Sequence, residues 1–184
     1  ARSVRAAVPD TRVLVGSATS SNDPGYAAVN QILRERFGVI QDEDAGDAQA
    51  KIAAGVAEVM PERLHTEVSH LLAHLLHVPF SGSHVVEPLA QVPGQLEVRT
   101  FIAVRRFLEK DAERATLLLL FDAVDQAGPE TVNLIHFLAE GMRNCPVFIL
   151  ATARPTLFRR HLQWGQGEFA HTRVDVGPLS PAEA

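Results

Sequence analysis

The chain has 184 residues, 46% hydrophobic and 21% charged, which is the balance of a soluble globular domain and long enough to bury one sizeable core. Its formal net charge is −5 and its lysines are limited to Lys51 and Lys110, so no basic stripe is available to neutralise a phosphate backbone and direct nucleic-acid binding is not expected. No apolar run approaches the roughly 18 to 20 residues that cross a bilayer, and the single cysteine, Cys145, cannot form an internal disulfide; both point to a cytoplasmic protein, with no membrane partner and Cys145 as a buried structural thiol.

Residues 1 to 10 suit the tail of a helix that enters from upstream and ends at Pro9-Asp10. "RVLVG", Arg12 to Gly16, is a short β-branched apolar run with a glycine stop and reads as a buried strand. Asp23 and Pro24 then serve as N-cap and first residue of a helix carrying Val29, Ile32, Leu33 and Phe37 inward, which Gly38 ends. The acidic loop "QDEDAGD" lacks the carboxylate spacing of a calcium loop and reads as solvated. Helices are expected from about Ala48 to Val59 and from Pro61 to about His77, the second with Leu64, Val68, Leu71, Leu72 and Leu75 on one face. Prolines 79, 88 and 93 mark an irregular connection before a helix over Gln95 to Lys110 that buries Val98, Phe101, Ile102 and Leu108.

The second half changes rhythm. Leu117 to Phe121 is an apolar strand, Pro129 to Met142 a helix with Val132, Ile135, Leu138 and Ala139 inward, "PVFILAT" a second buried strand, and "HTRVDV", His171 to Val176, a further strand. Strand, helix and strand at that spacing form a crossover unit of a parallel sheet, so the class is α/β. No internal repeat divides the chain, and a single domain is expected.

In open parallel sheets ligands gather at the carboxyl ends of the strands. Asp122 and Thr152 to Arg154 fall at such ends. A carboxylate there suits a hydrated magnesium ion, and the planar fork of an arginine suits a terminal phosphate; the plainer alternative is that Asp122 caps a turn and Arg154 lies on the surface. No G-x-x-x-x-G-K-[ST] phosphate loop occurs. His70, His74 and His77 share one helix face that also carries Arg63, away from the leucines; without a cysteine or carboxylate to complete a zinc set, they read as a solvated face. No G-x-S-x-G elbow supports a serine hydrolase.

Taken together, "LLLLFDAVDQAGPETVNLIHFLAEGMRNCPVFILATARPTLF" and "WGQGEFAHTRVDVGPLSPAEA" resemble the ATPase module of STAND-type AAA-like signalling proteins, found in bacteria beside Ser/Thr protein kinases, adenylate cyclases and LuxR-type regulators. "RVLVGSA", "LRERFGV", "HLLHVPF" and "VRRFLEKDAERATLLLL" stand in the same order as comparable family segments. The resemblance implies an incomplete P-loop NTPase fold, a three-layer parallel sheet with a helical insertion between the first and second strands present. Residues 1–16 would be a helix end and strand, 17–111 the helical region, and 112–184 the Walker B and sensor half. The Walker A strand and its phosphate loop would lie upstream, and their absence is expected to leave a gap in the sheet, unusual packing, or a partner filling the space.

By the same resemblance Asp122 matches the Walker B acid that serves magnesium, and Thr152 and Arg154 match the sensor region, making ATP and magnesium the implied cofactors of the complete protein, although this stretch alone is not expected to bind them tightly. Upstream and downstream domains, and a homo-oligomer, are the implied partners. Where the family has a second acid that polarises the attacking water, this chain has Ala123; where the family then has His or Gln, Trp, Ala and Asp, it has Asp125, Gln126, Ala127 and Gly128. The expectation is therefore a nucleotide switch with weak or absent hydrolysis and no catalytic base, or else a degenerate scaffold for interaction or oligomerisation.

Overall fold

The computed structural model describes residues 10–19, 25–167 and 170–177. The protein is α/β. Strand β1 (Thr11–Ser17) leads into helices α1 (Ala27–Phe37), α2 (Ala45–Val59), α3 (His65–Leu75), α4 (Val86–Ala90) and α5 (Gln95–Ala112) before β2 (Thr116–Asp122), α6 (Pro129–Gly141), β3 (Val147–Ala151) and α7 (Thr156–Arg160). The strands form one parallel sheet in the order β1-β2-β3. Thr11 faces Thr116 at one end and Ser17 faces Asp122 at the other, while Leu117 faces Val147 and Phe121 faces Ala151. The helical region between the first two strands is as expected, but the sheet has no gap between its described strands.

The strand period of two sorts the side chains onto two faces. Leu14, Leu117, Leu119 and Phe121 enter the core with α1, α2, α3, α5 and α6, and Val147, Ile149 and Ala151 pack against it. Gly16 lies on this face, and a Cβ there would stand 1.9 Å from the carbonyl oxygen of Ala28, so the close seating of α1 on β1 requires glycine. On the opposite face, side chains grade from buried Val13 and Leu118 to Leu150 and Phe148, which are 40% and 63% exposed. β3 is thus not the fully buried strand expected: it is an edge strand among the described residues, and only one of its faces meets the core.

Helix boundaries follow local chemistry. Gly38, with φ +67°, closes α1, and the N–H of Val39 donates to the carbonyl of Arg34 at 3.0 Å. The proposed cap at Asp23 and Pro24, like the helix tail at residues 1 to 9, lies outside the described residues. α2 begins at Ala45 rather than Ala48, because Asp44 caps it by accepting the N–H of Gly46 at 2.8 Å. The acidic loop is therefore partly structural, with Glu43 also paired to Lys51. The expected helix from Pro61 opens as a single 3-10 turn, Glu62–Leu64, and α3 stops at Leu75.

α5 buries Leu108 and packs Phe101 against the core as expected, but the rest of its inward face differs. Thr100, Ala103, Val104, Phe107, Leu108 and Asp111 are buried at helical spacing, while Val98 is 56% exposed. Asp111, fully buried, ties three elements: it accepts from Arg12 of β1 at 2.6 Å and from Arg36 of α1 at 2.9 and 2.8 Å. Arg36 also reaches Glu58 of α2 at 3.1 Å. Burial pushes the Asp111 carboxyl up, but the hydrogen bonds from Arg36 and Arg12 outweigh it and hold the group below the ordinary aspartate range.

One expectation in the second half fails, and another holds in part. His171 to Val176 is not a strand; Val174 and Val176 are 78% and 91% exposed, with no described strand to pair them. Cys145 packs half-buried against the core, and burial with nearby Glu109 and Glu113 raises its thiol above the ordinary range.

Candidate functional site

The carboxyl ends of the three strands bring a polar row together. Strand register puts Ser17, Asp122 and then Thr152 side by side, just beyond the apolar residues of the less covered face. The Thr152 hydroxyl donates to Oδ1 of Asp122 and accepts the Ala123 N–H at 3.2 Å. Main-chain bonds extend the sheet pairing past both strands: Ala18 N–H to the Asp122 carbonyl, Thr152 N–H to Phe121 and Val124 N–H to Thr152, each 2.9 Å. Asp122 and Thr152 remain exposed to solvent. Asp122 Oδ2 has no protein hydrogen bond among the described residues and is open to a ligand.

Two of the three residues singled out from sequence are therefore in contact. Arg154, the third, stands two residues beyond Thr152 with its guanidinium exposed, and it does not bond Asp122 or Thr152. Its backbone N–H donates to Oδ1 of Asp125 at 3.0 Å. Asp125 is only 5% exposed, and its other oxygen accepts from the Thr156 hydroxyl at 3.3 Å. Its carboxylate thus serves the turn after β3 and is not beside Asp122 as a second acid.

Ala123 explains part of this separation. Its φ of +54° is left-handed, and it turns the chain out of β2 into the 3-10 turn Val124–Gln126. Sequence reading passed over Ser17, whose N–H donates to Gln31 Oε1 at 2.8 Å and whose hydroxyl lies 2.8 Å from that of Thr19. The signal was present: Thr11, Val13, Val15 and Ser17 alternate onto one face, so Ser17 had to end β1 on the same side as Asp122 ends β2.

The histidines are corrected. His70 is half-buried rather than solvated, its Nδ1 2.7 Å from the Ser83 hydroxyl and its ring stacked on Phe80 with centroids 4.3 Å apart. Burial, with His84 nearby, lowers the His70 imidazole below its ordinary value, and burial with His77 does the same for His74. His77 lies past the end of α3 with φ +60°. Among the described residues no cluster of His, Cys, Asp and Glu is arranged to hold a metal ion, and no helix is long and apolar enough to cross a membrane. A groove of roughly 500 Å³ lined by Arg105, Phe137, Glu140, Gly141, Arg143 and Asn144 sits at the carboxyl end of α6, away from the polar row.

No protein-family model matches the chain, and neither a curated protein nor a solved structure does.

Proposed function

We propose that the chain is the Walker B and sensor half of a STAND-type P-loop module that binds ATP with magnesium and switches an attached signalling domain, with weak or absent hydrolysis. The observation that carries this reading is the contact between Asp122 and Thr152 at neighbouring strand ends, with Ser17 completing the row. Magnesium prefers one or two carboxylates and keeps several waters, and a single acid with one free oxygen, flanked by hydroxyls, fits that demand. Bound there, the ion would neutralise phosphate charge.

The fit to ATP is only half complete within these residues. Asp122 would hold the ion's water shell, Thr152 would fix the rotamer of Asp122, and Arg154 would meet a terminal phosphate. No glycine-rich loop with lysine is present to cradle the other phosphates, and that part is assigned to an upstream segment of the same polypeptide. Weak hydrolysis follows from Ala123, because loss of a general base costs about 10² to 10⁴-fold in rate. Asp125 does not replace it, since both its oxygens are engaged in the turn after β3.

A degenerate scaffold is the second reading, favoured by Ala123 and by the uncovered Phe148 and Leu150 on β3. Calorimetry on the intact protein separates the two. The switch reading expects ATP binding that requires magnesium and little or no phosphate release until Ala123→Asp supplies an acid; ATP binding that is absent or indifferent to magnesium leaves the scaffold.

A further inference from the structure

We propose that Asp125 is a positioning residue of the candidate site: its buried carboxylate fixes the turn after β3 so that Arg154 stands beside the Asp122–Thr152 pair, facing the terminal phosphate of a bound nucleotide. The proposal rests on the nucleotide reading above and gives that site a device to hold its arginine.

Asp125 sits in the turn between β2 and α6, yet its carboxylate and carbonyl bond across to the segment after β3, from Arg154 into α7. Oδ1 accepts the Arg154 N–H at 3.0 Å, Oδ2 accepts the Thr156 hydroxyl at 3.3 Å, and its carbonyl accepts from the Arg160 guanidinium at 3.2 Å. A carboxylate 5% exposed that receives mainly neutral donors is costly to bury. An apolar side chain would fill the space at less cost, so the carboxylate is there for the geometry it imposes. Hydrogen bonds to a charged acceptor are about twice as strong as neutral ones, which suits a rigid brace.

Two braces cross between the same loops. Thr152 is held through its hydroxyl by Asp122 and through its carbonyl by the N–H of Val124 at 2.9 Å, and Arg154 is held through its N–H by Asp125. The backbone from Thr152 to Arg154 is therefore pinned at both ends, and Arg154 supplies the one cationic side chain among the exposed residues 152–155 of the turn. A guanidinium on a fixed backbone loses less freedom when it meets a phosphate than one on a loose loop.

Amide hydrogen exchange and a double-mutant cycle on the intact protein test this. Asp125→Ala should speed exchange at the Arg154 amide by about tenfold, the worth of one hydrogen bond to a charged group, while β2 amides keep their protection. Magnesium–ATP affinity should fall by a similar factor in Asp125→Ala, in Arg154→Ala and in the double variant. Asp125→Asn fills the same space and keeps a neutral acceptor for Arg154, so its exchange and affinity should fall between those of wild type and the alanine variant, even where the alanine variant folds poorly. Unchanged exchange at Arg154, or affinity losses that multiply in the double variant, would overturn the positioning role. A wild type that binds no magnesium–ATP would remove the nucleotide reading and the role with it, even where Arg154 exchange responds to Asp125→Ala.

Discussion

Ala123, next to Asp122, is the one alanine that the described backbone holds in the left-handed region. A left-handed alanine is strained by about 1 kcal/mol, and glycine, asparagine and aspartate adopt that region more readily. Ala123→Gly should therefore raise stability by about 0.5 kcal/mol, the relief being partly offset by the greater freedom of glycine in the unfolded chain. Ala123→Asp should leave stability within about 1 kcal/mol of wild type, as read from urea midpoints. A loss of several kcal/mol in either variant would show that the methyl group is packed and the turn is not strained. Tolerance of an acid at this position also means that a test for restored hydrolysis would read chemistry and not unfolding.

At the level of elements, the Asp111 cluster holds β1, α1 and α5 in one arrangement. Removing the buried acid leaves Arg36 with Glu58 alone and takes the carboxylate from Arg12, which keeps 34% of its side chain in water, so the cost should fall at the low end for broken buried pairs, about 3 kcal/mol for Asp111→Ala. The pH dependence has a definite sign. The carboxyl is held below its unfolded value of about 3.9, so its contribution is complete above that pH and is lost as pH falls through the lower folded value. Wild type should lose stability below about pH 4 more steeply than Asp111→Asn, and parallel acid unfolding curves would contradict this.

The elements also show what the residue pattern makes legible. β2 and α6 could be read directly, because a run of leucines has no exposed alternative and Val132, Ile135 and Leu138 recur at helical spacing. The inward face of α5 could be read only in part, at Leu108 and Phe101, since apolar residues lie on several sides and Asp111 gains its burial only through Arg12 and Arg36, brought from 99 and 75 positions away. His171 to Val176 failed for the opposite reason: alternation marks a strand only where a neighbour pairs with it. Asp122 and Thr152 were both recognisable as strand ends, but their contact depends on the register of β2 against β3, which no local pattern sets. The separation of Asp125 from Asp122 came from the positive φ of Ala123, a conformation alanine does not announce.

Over the whole molecule, the helices gather on one face of the three-stranded sheet while the polar row ends the other. All-parallel sheets are usually covered on both faces, and the exposed Phe148 and Leu150 mark where cover is thinnest. The role proposed for Asp122 is to serve a divalent cation at the head of this sheet. The most direct measurement is a manganese titration in the presence of ATP, following backbone resonances by their paramagnetic broadening, since manganese shares magnesium's preference for oxygen ligands. Broadening centred on Asp122, Thr152 and Ser17 that disappears in Asp122→Asn is the expected result; broadening centred instead on the acidic loop around Asp42 to Asp47, or unchanged by that substitution, would contradict a cation role for Asp122.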